Sequence, residues 1–308
     1  MRRYFSGLVA MLLLSFAAGC TGPGALNALT PTRGFDLAAN VPYDPSRNLR
    51  LDIYSPQGVQ NAPVVVFFFG GRWTEGRKDD YRFVGEALSS RGFIGVVADY
   101  RLYPQVRFPE FVDDAARAVA WLHANARTYG GSPDKIFVMG HSSGAHMAAM
   151  LAIKEEYMAR AGGSRSWLRG MIGLSGPYDF MPITDPTMRD IFAPPEKFEQ
   201  SQPVLYAEGD NPPMLLMHGE DDENVFAANT RSMAAAVKKA GGAIETVIYP
   251  KMSHRMMIAS LSKPIRGQTD VLQHIAEFVG RWSNAPRASE RPPSTDGGGV
   301  QGIPMPID

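Results

Sequence analysis

Lys135-Ile136-Phe137-Val138-Met139-Gly140-His141-Ser142-Ser143-Gly144-Ala145-His146-Met147-Ala148-Ala149-Met150 decides the fold. Its first part, Ile136 to Met139, is an unbroken apolar run of the kind that forms a strand buried on both faces. Its last part is rich in Ala and Met, which favour helix. Between them lies Gly-x-Ser-x-Gly, spanning Gly140 to Gly144. The strand–turn–helix context separates a nucleophile elbow from a chance match to that pattern. The two glycines leave room for a sharp turn that a Cβ would obstruct. Such a turn lifts the Ser142 hydroxyl clear of the sheet, at a helix N-terminus where free N–H groups and the dipole favour negative charge.

Working outward, other apolar runs alternate with helical patterns. Asn48 to Tyr54 alternates as a half-buried edge strand should, and Pro63 to Phe69 is continuously apolar. A helix over Tyr81 to Arg91 and a strand over Phe93 to Ala98 come next. A long amphipathic helix over Pro109 to Tyr129 presents Phe111, Val112, Ala115, Val119 and Leu122 on one side, and Gly130-Gly131 end it. Within it Asp113 and Asp114 are adjacent, so they do not face one another, and both read as helix N-terminal charges. Beyond the elbow lie strands at Leu168 to Leu174, Pro213 to Met217 and Ile244 to Tyr249, with helices at Val225 to Lys239 and Thr269 to Trp282. This order implies an α/β fold with a mostly parallel sheet and helices on both faces. Residues 176–211 break the alternation with Pro, Met and aromatic residues and read as a small cap insertion.

The 308 residues carry 31 basic and 31 acidic side chains, a net charge of zero that argues against nucleic acid as a partner. The single cysteine excludes an internal disulfide framework and a cysteine-based zinc site. No metal-ligand spacing or phosphate-binding glycine loop stands out, so neither a metal nor an organic cofactor is expected. The N-terminus reads as an address. Arg2 and Arg3 precede an apolar run from Leu8 to Ala18, and Ala17-Ala18-Gly19-Cys20 closes it with small residues. Residues 1–19 therefore read as a signal peptide and 20–33 as a Gly/Pro-rich tether. The main domain covers 34–283, and 284–308 form a Pro/Gly/Ser-rich tail with the composition of a disordered segment.

A serine hydroxyl is a weak nucleophile and needs a base, which in turn needs an orienting acid. On an elbow of this kind the chain order is serine, acid, histidine. Of six histidines, His123 and His274 sit within helices, His141 and His146 lie in and just after the elbow, and His218 ends a strand. His254, in the loop after the last strand and before an apolar helical stretch, remains as the base. The acid comes from His218-Gly219-Glu220-Asp221-Asp222-Glu223-Asn224-Val225, which follows a buried strand. Ligand chemistry on open α/β sheets occurs at that edge. The spacing favours Asp222, with Asp221 as the alternative. Oxyanion donors are expected from the Ser143 N–H and from Gly70 or Gly71, directly after the triple-Phe strand.

These residues resemble the α/β-hydrolase superfamily, in its esterase/lipase branch near carboxylesterases and kynurenine-formamidase-like enzymes. Phe69-Gly70-Gly71-Arg72-Trp73 is similar to the family's His-Gly-Gly-x-Trp motif, and Asp99-Tyr100-Arg101-Leu102 matches another family segment. The elbow and the stretch from His218-Gly219 through Asp222 to Val225 complete the likeness, which covers residues 48–283. The resemblance implies an α/β-hydrolase fold, a triad of Ser142, Asp222 and His254, and an oxyanion hole of Gly70, Gly71 and Ser143. It implies hydrolysis of carboxylic esters through an acyl-enzyme. Amide or formamide hydrolysis is the alternative, and a non-catalytic envelope binding protein is a third reading. Phe69 departs from the family's His, and Phe226 from a common Pro. Trp73, Tyr178, Phe180 and Phe192 are the expected contacts to a small-molecule ester. The N-terminal stretch resembles a bacterial lipoprotein signal, which implies lipidation of Cys20, membrane attachment through that lipid and a place in the cell envelope. Ala17 stands where that signal usually carries Leu.

Overall fold

A computed structural model describes residues 23–286. The signal-peptide reading of 1–19, Cys20, and the tail from 287 onward lie outside the described residues. After a short helix, α1 (Pro23–Ala28), come β1 (Phe35–Asp44), β2 (Leu49–Pro56), β3 (Ala62–Phe68), α2 (Arg82–Ser89), β4 (Ile94–Ala98) and α3 (Glu110–Asn125). The elbow region supplies β5 (Gly131–His141) and α4 (Ser143–Ile153). Then follow α5 (Glu155–Arg160), β6 (Leu168–Leu174), α6 (Pro186–Ile191), β7 (Met214–Gly219), α7 (Ala228–Lys239), β8 (Ile244–Tyr249), α8 (His254–Ala259) and α9 (Val271–Ser283).

The eight strands form one sheet in the order β1-β2-β4-β3-β5-β6-β7-β8. β2 pairs antiparallel with both its neighbours, and every pair from β4 to β8 is parallel. The α/β architecture read from the sequence is therefore present. From β3 the chain crosses one way to β4 and the other way to β5, so the strand order reverses at the C-terminal ends of β3 and β5. A crevice at that reversal is where doubly wound sheets bind ligands. Phe69-Gly70-Gly71 leaves one of these two strands, and Ser142 leaves the other.

The core is built by the runs that made the strands legible. Val64 to Phe68 and Ile136 to Met139 are fully buried. Every residue of α4 is buried, as suits a helix that is apolar all round, and its alanines let it pack closely. The 48–54 stretch is corrected in one respect: β2 is not an edge strand, because β1 pairs with its outer side. Its polar member Asp52 is buried and satisfied, accepting from the Asn40 N–H at 2.7 Å and pairing with Lys78 at 3.0 Å. The reading of Asp114 as a helix N-terminal charge is also corrected. Asp114 is fully buried and takes Nε and Nη2 of Arg101 at 2.8 and 2.7 Å, whereas Asp113 pairs on the surface with Arg160.

Candidate active site

Ser142 stands between β5 and α4 with φ 54° and ψ −123°, a conformation that costs a non-glycine residue free energy and survives only where its surroundings enforce it. The enforcement is visible. A Cβ on Gly140 would lie 2.2 Å from the Gly144 carbonyl, and one on Gly144 would lie 2.0 Å from the Phe68 carbonyl oxygen. The turn can therefore press against the end of β3 only with glycine at both positions. The Ser142 N–H donates to the Leu174 carbonyl at 2.9 Å, which fixes the elbow to β6. Ser143 opens α4, so its N–H belongs to the first turn, where donors lack intrahelical acceptors.

Gly70 lies directly against the elbow, since a Cβ on it would fall 2.9 Å from Ser142 Cβ and 3.0 Å from His141 Nδ1. Gly71 is the turn residue, at φ 138°, and its carbonyl accepts from the N–H groups of Thr74 and Glu75. Phe69, the departure from the family motif, is stacked between Tyr100 at 4.4 Å and Tyr81 at 5.7 Å between ring centroids. Its carbonyl accepts from the Tyr100 hydroxyl at 2.8 Å. An aromatic stack and a main-chain hydrogen bond thus hold the start of the Gly70-Gly71 loop.

The candidate acid and base meet because the ends of β7 and β8 are locked together. The Glu220 N–H donates to the Tyr249 carbonyl at 2.9 Å, and a Cβ on Gly219 would lie 1.9 Å from the Met252 carbonyl oxygen. The loop after β8 therefore lies close over the loop after β7. His254 opens α8, whose N-cap is Ser253, and its Nδ1–H donates to Asp222 Oδ2 at 2.7 Å. That bond leaves Nε2 as the basic nitrogen of the ring. Asp222 is 2% exposed, whereas Asp221 is exposed, so of the two candidates the structure brings Asp222 to the histidine. Asp222 Oδ1 accepts from the N–H groups of Asn224 and Val225 at 3.0 and 2.9 Å. Burial alone would raise its pKa. The His218 ring beside it, with hydrogen bonds from His254 and the Val225 N–H, outweighs that and holds the carboxyl well below the usual range.

His141 links the two halves of the site. Its Nε2–H donates to the His254 carbonyl at 3.1 Å, and the two rings lie 4.6 Å apart. His254 is thereby held beside the residue that precedes Ser142. Burial, and then the neighbouring His254, push the His141 pKa down to about 3, so it stays neutral. His218 makes contacts that the sequence did not disclose. Fully buried, it lies 3.3 Å from Asp222 Oδ2 through Nε2, and only the folded chain brings its ring to Thr230.

Of the four aromatic residues expected to meet substrate, three cluster. The rings of Trp73 and Phe192 lie 5.0 Å apart, and Phe180 is 6.3 Å from Trp73 and 5.4 Å from Phe192. His146 meets all three and donates from Nε2 to the Ser201 carbonyl at 2.8 Å. Trp73 and Phe192 are almost wholly buried, and Phe180 is half-buried. Tyr178 sits apart from this cluster over Gly173 and Gly176, which lack the Cβ that would collide with its ring.

The segment between β6 and β7 is fastened to the rest of the fold at several points. Asn229 Oδ1 accepts from the Tyr178 and Asp179 N–H groups at 2.9 Å each, and Arg72 reaches Asp185 at 3.1 Å. Arg107 forks onto Asp190, which also accepts from the Tyr103 hydroxyl at 2.6 Å. Among the described residues there is no cluster of His, Cys, Asp or Glu that could hold a metal ion. No helix among them is long and apolar enough to cross a membrane.

The strand order, the elbow and the single antiparallel strand beside β4 define an α/β-hydrolase, and the comparisons with known proteins agree. The chain belongs to the BD-FAE family, whose model matches residues 51–237. It is 32% identical over 250 residues to a probable isoprenylcysteine alpha-carbonyl methylesterase of Arabidopsis thaliana, covering 74% of this chain and 52% of that protein. It is 28% identical over 262 residues to esterase LipQ of Mycobacterium tuberculosis, covering 79% of this chain and 62% of that protein. The chain thus spans about half to three-fifths of the length of these curated relatives. Among solved structures, esterase 2 of Thermogutta terrifontis, phosphonylated by sarin, superposes with a TM-score of 0.68 at 25% identity, covering 82% of this chain and 96% of that one. A truncated carbohydrate esterase from gut microbiota shares the fold with a TM-score of 0.69 at 18% identity, over 83% of this chain and 99% of that one.

Proposed function

We propose that the protein is a serine hydrolase that cleaves carboxylic esters through an acyl-enzyme, with Ser142 as nucleophile, His254 as base and Asp222 as the orienting acid. The observation that carries this reading is the pairing of a strained serine at the sheet's reversal point with a buried carboxylate that fixes His254 in the Nδ1–H tautomer. That relatives are named as esterases, and that one structural neighbour is recorded as phosphonylated by sarin, supports it.

In this mechanism Ser142 Oγ attacks the ester carbonyl carbon while His254 Nε2 takes its proton. The carbonyl oxygen becomes an oxyanion held by N–H groups of Ser143 and of the Gly70-Gly71 loop. The intermediate collapses, the C–O bond to the alcohol breaks, and His254 returns the proton to the leaving oxygen. Water then attacks the acyl-enzyme, His254 takes its proton and passes it to Ser142 Oγ, and the carboxylic acid departs. Asp222 stays ionised throughout and stabilises the imidazolium as it forms. Segment 176–211 acts as a small cap over this site, and the Trp73, Phe180 and Phe192 cluster shapes the side on which the ester sits. Lipidation at Cys20 tethers the enzyme to a membrane of the cell envelope. A Cys20→Ser protein that stayed in the membrane fraction would remove that part of the reading.

The test is hydrolysis of a p-nitrophenyl ester series, acetate to long chains, by wild type and Ser142→Ala. Loss of turnover by about 1000-fold or more in the variant is expected. Turnover of an aryl formamide in preference to matched esters would move the reading to amide hydrolysis. Equal ester turnover by both proteins would remove Ser142 from its role.

A further inference from the structure

The acid of the proposed triad is held by a second histidine. His218, the penultimate residue of β7, is fully buried, and each of its ring nitrogens has a partner. Nε2 lies 2.7 Å from the Val225 carbonyl oxygen and 3.3 Å from Asp222 Oδ2. Both of those atoms can only accept, so Nε2 carries a hydrogen, which it donates to the Val225 carbonyl with the Asp222 oxygen close beside it. Nδ1 lies 2.8 Å from Thr230 Oγ1, from the first turn of α7. With the hydrogen on Nε2, Nδ1 faces the threonine hydroxyl, which can donate to it and so suits the Nε2–H tautomer. The contacts close on themselves, because the N–H of Val225, whose carbonyl takes the His218 hydrogen, donates to Asp222 Oδ1.

We infer that His218 is a positioning residue for the hydrolysis proposed above, acting through Asp222. It fixes the loop of Asp222–Val225 at its carbonyl and turns Oδ2 toward His254, while Thr230 keeps its ring in the donating tautomer. The inference rests on the triad reading but assigns a residue outside it. Asp222 Oδ2 accepts from His254 Nδ1–H and lies 3.3 Å from His218 Nε2, so it sits between two ring nitrogens whose positions come from different elements, β7 and α8. Without the His218 donor, the carboxylate keeps its Oδ1 contacts with the loop but is free to rotate away from His254. Misplacement of a catalytic group by about 1 Å costs about 100-fold in rate.

The experiment compares His218→Met, His218→Gln and Thr230→Val with wild type, using p-nitrophenyl acetate and the far-downfield proton resonance of the His254–Asp222 hydrogen bond. Thermal unfolding of each variant checks that it is folded. Met fills the buried space without a donor, and the Gln amide can place an N–H where Nε2 stood. The inference requires a fall of about 100-fold in kcat for His218→Met with KM within about twofold, and loss of the resonance. It requires recovery of most of the rate and of the resonance in His218→Gln, and an intermediate fall in Thr230→Val. A folded His218→Met with wild-type kcat and resonance overturns it, as does a His218→Gln no better than Met. Ser142→Ala and Asp222→Asn run alongside. If those two remain active the triad reading fails, whereas their inactivity beside an unaffected His218→Met removes only the role of His218.

Discussion

Asp222 is buried and ionised, and it accepts hydrogen bonds at both oxygens, from the Asn224 and Val225 N–H groups at Oδ1 and from His254 at Oδ2. Replacing it with Asn keeps the shape but substitutes an amide that can also donate, so His254 can settle in the wrong tautomer. Asp222→Asn should therefore lower kcat by about 10,000-fold with little change in thermal stability, measured on any ester the wild type turns over. A fall below tenfold would mean that the His254 tautomer is set elsewhere. This residue was only partly legible in the sequence. Spacing favoured it over Asp221, and its burial decides the matter in the folded chain. The surroundings of His218 were not legible, because its contact with Thr230 is created by the return of the chain from β7 into α7. Phe69 was legible as a departure but not as a support. Its stacking partners, Tyr81 and Tyr100, come from separate loops that only the sheet brings together.

Among the elements, the loop after β4 shows how a scaffold residue can govern the site. Arg101 follows Tyr100, whose hydroxyl holds the Phe69 carbonyl at the root of the Gly70-Gly71 loop. Buried Asp114 of α3 takes the Arg101 guanidinium in a two-point grip and also accepts from its N–H at 3.1 Å. Asp114→Leu would leave that guanidinium without its partner. A loss of about 3 kcal/mol is expected, toward the lower end for such pairs because Arg101 keeps some contact with solvent. Urea unfolding measures it, and a variant as stable as wild type would contradict the assignment. From sequence, Asp113-Asp114 was readable only as helix N-terminal charge, because one turn of α3 sends one to the surface and the other to the core. β1 escaped the reading for a different reason. Its alternation is broken by register shifts between Ala38 and Val41 and between Pro42 and Asp44, and by Asn40 at φ 57°, so no sustained period of two survives. The buried strands carry register shifts too, between Ala62 and Val64 and between Ile136 and Phe137, but their continuous apolar runs made them legible all the same.

Across the whole molecule, the fold was legible because the continuous apolar runs, the elbow and the order of strands and helices agree with one another. The molecule also carries a pH dependence that follows from its buried histidines. Burial, and then His254, lower His141 from an ordinary 6.5 to about 3, and burial lowers His146 from 6.5 to about 4. Between those values and 6.5 the unfolded chain binds protons that the folded chain refuses, so stability rises with pH through that window. Their stabilising contribution is complete above 6.5 and is lost as pH falls, at up to about 1.4 kcal/mol per pH unit for each histidine. Thermal unfolding at pH 7, 6, 5 and 4 should show a steady fall. His146→Gln, among uncharged aromatic neighbours, should flatten the slope even if it lowers stability at pH 7. An unchanged slope would mean that His146 takes up protons alike in the folded and unfolded states.

The measurement that bears most directly on the central claim is covalent trapping. The wild-type protein is treated with a fluorophosphonate, and the modified residue is located by peptide mass spectrometry, with Ser142→Ala and His254→Ala alongside. One adduct per chain is predicted, on Ser142, absent from the Ser142 variant and formed far more slowly in the His254 variant. An adduct on another residue, or labelling of Ser142 at the same rate without His254, would contradict a serine nucleophile activated by that histidine.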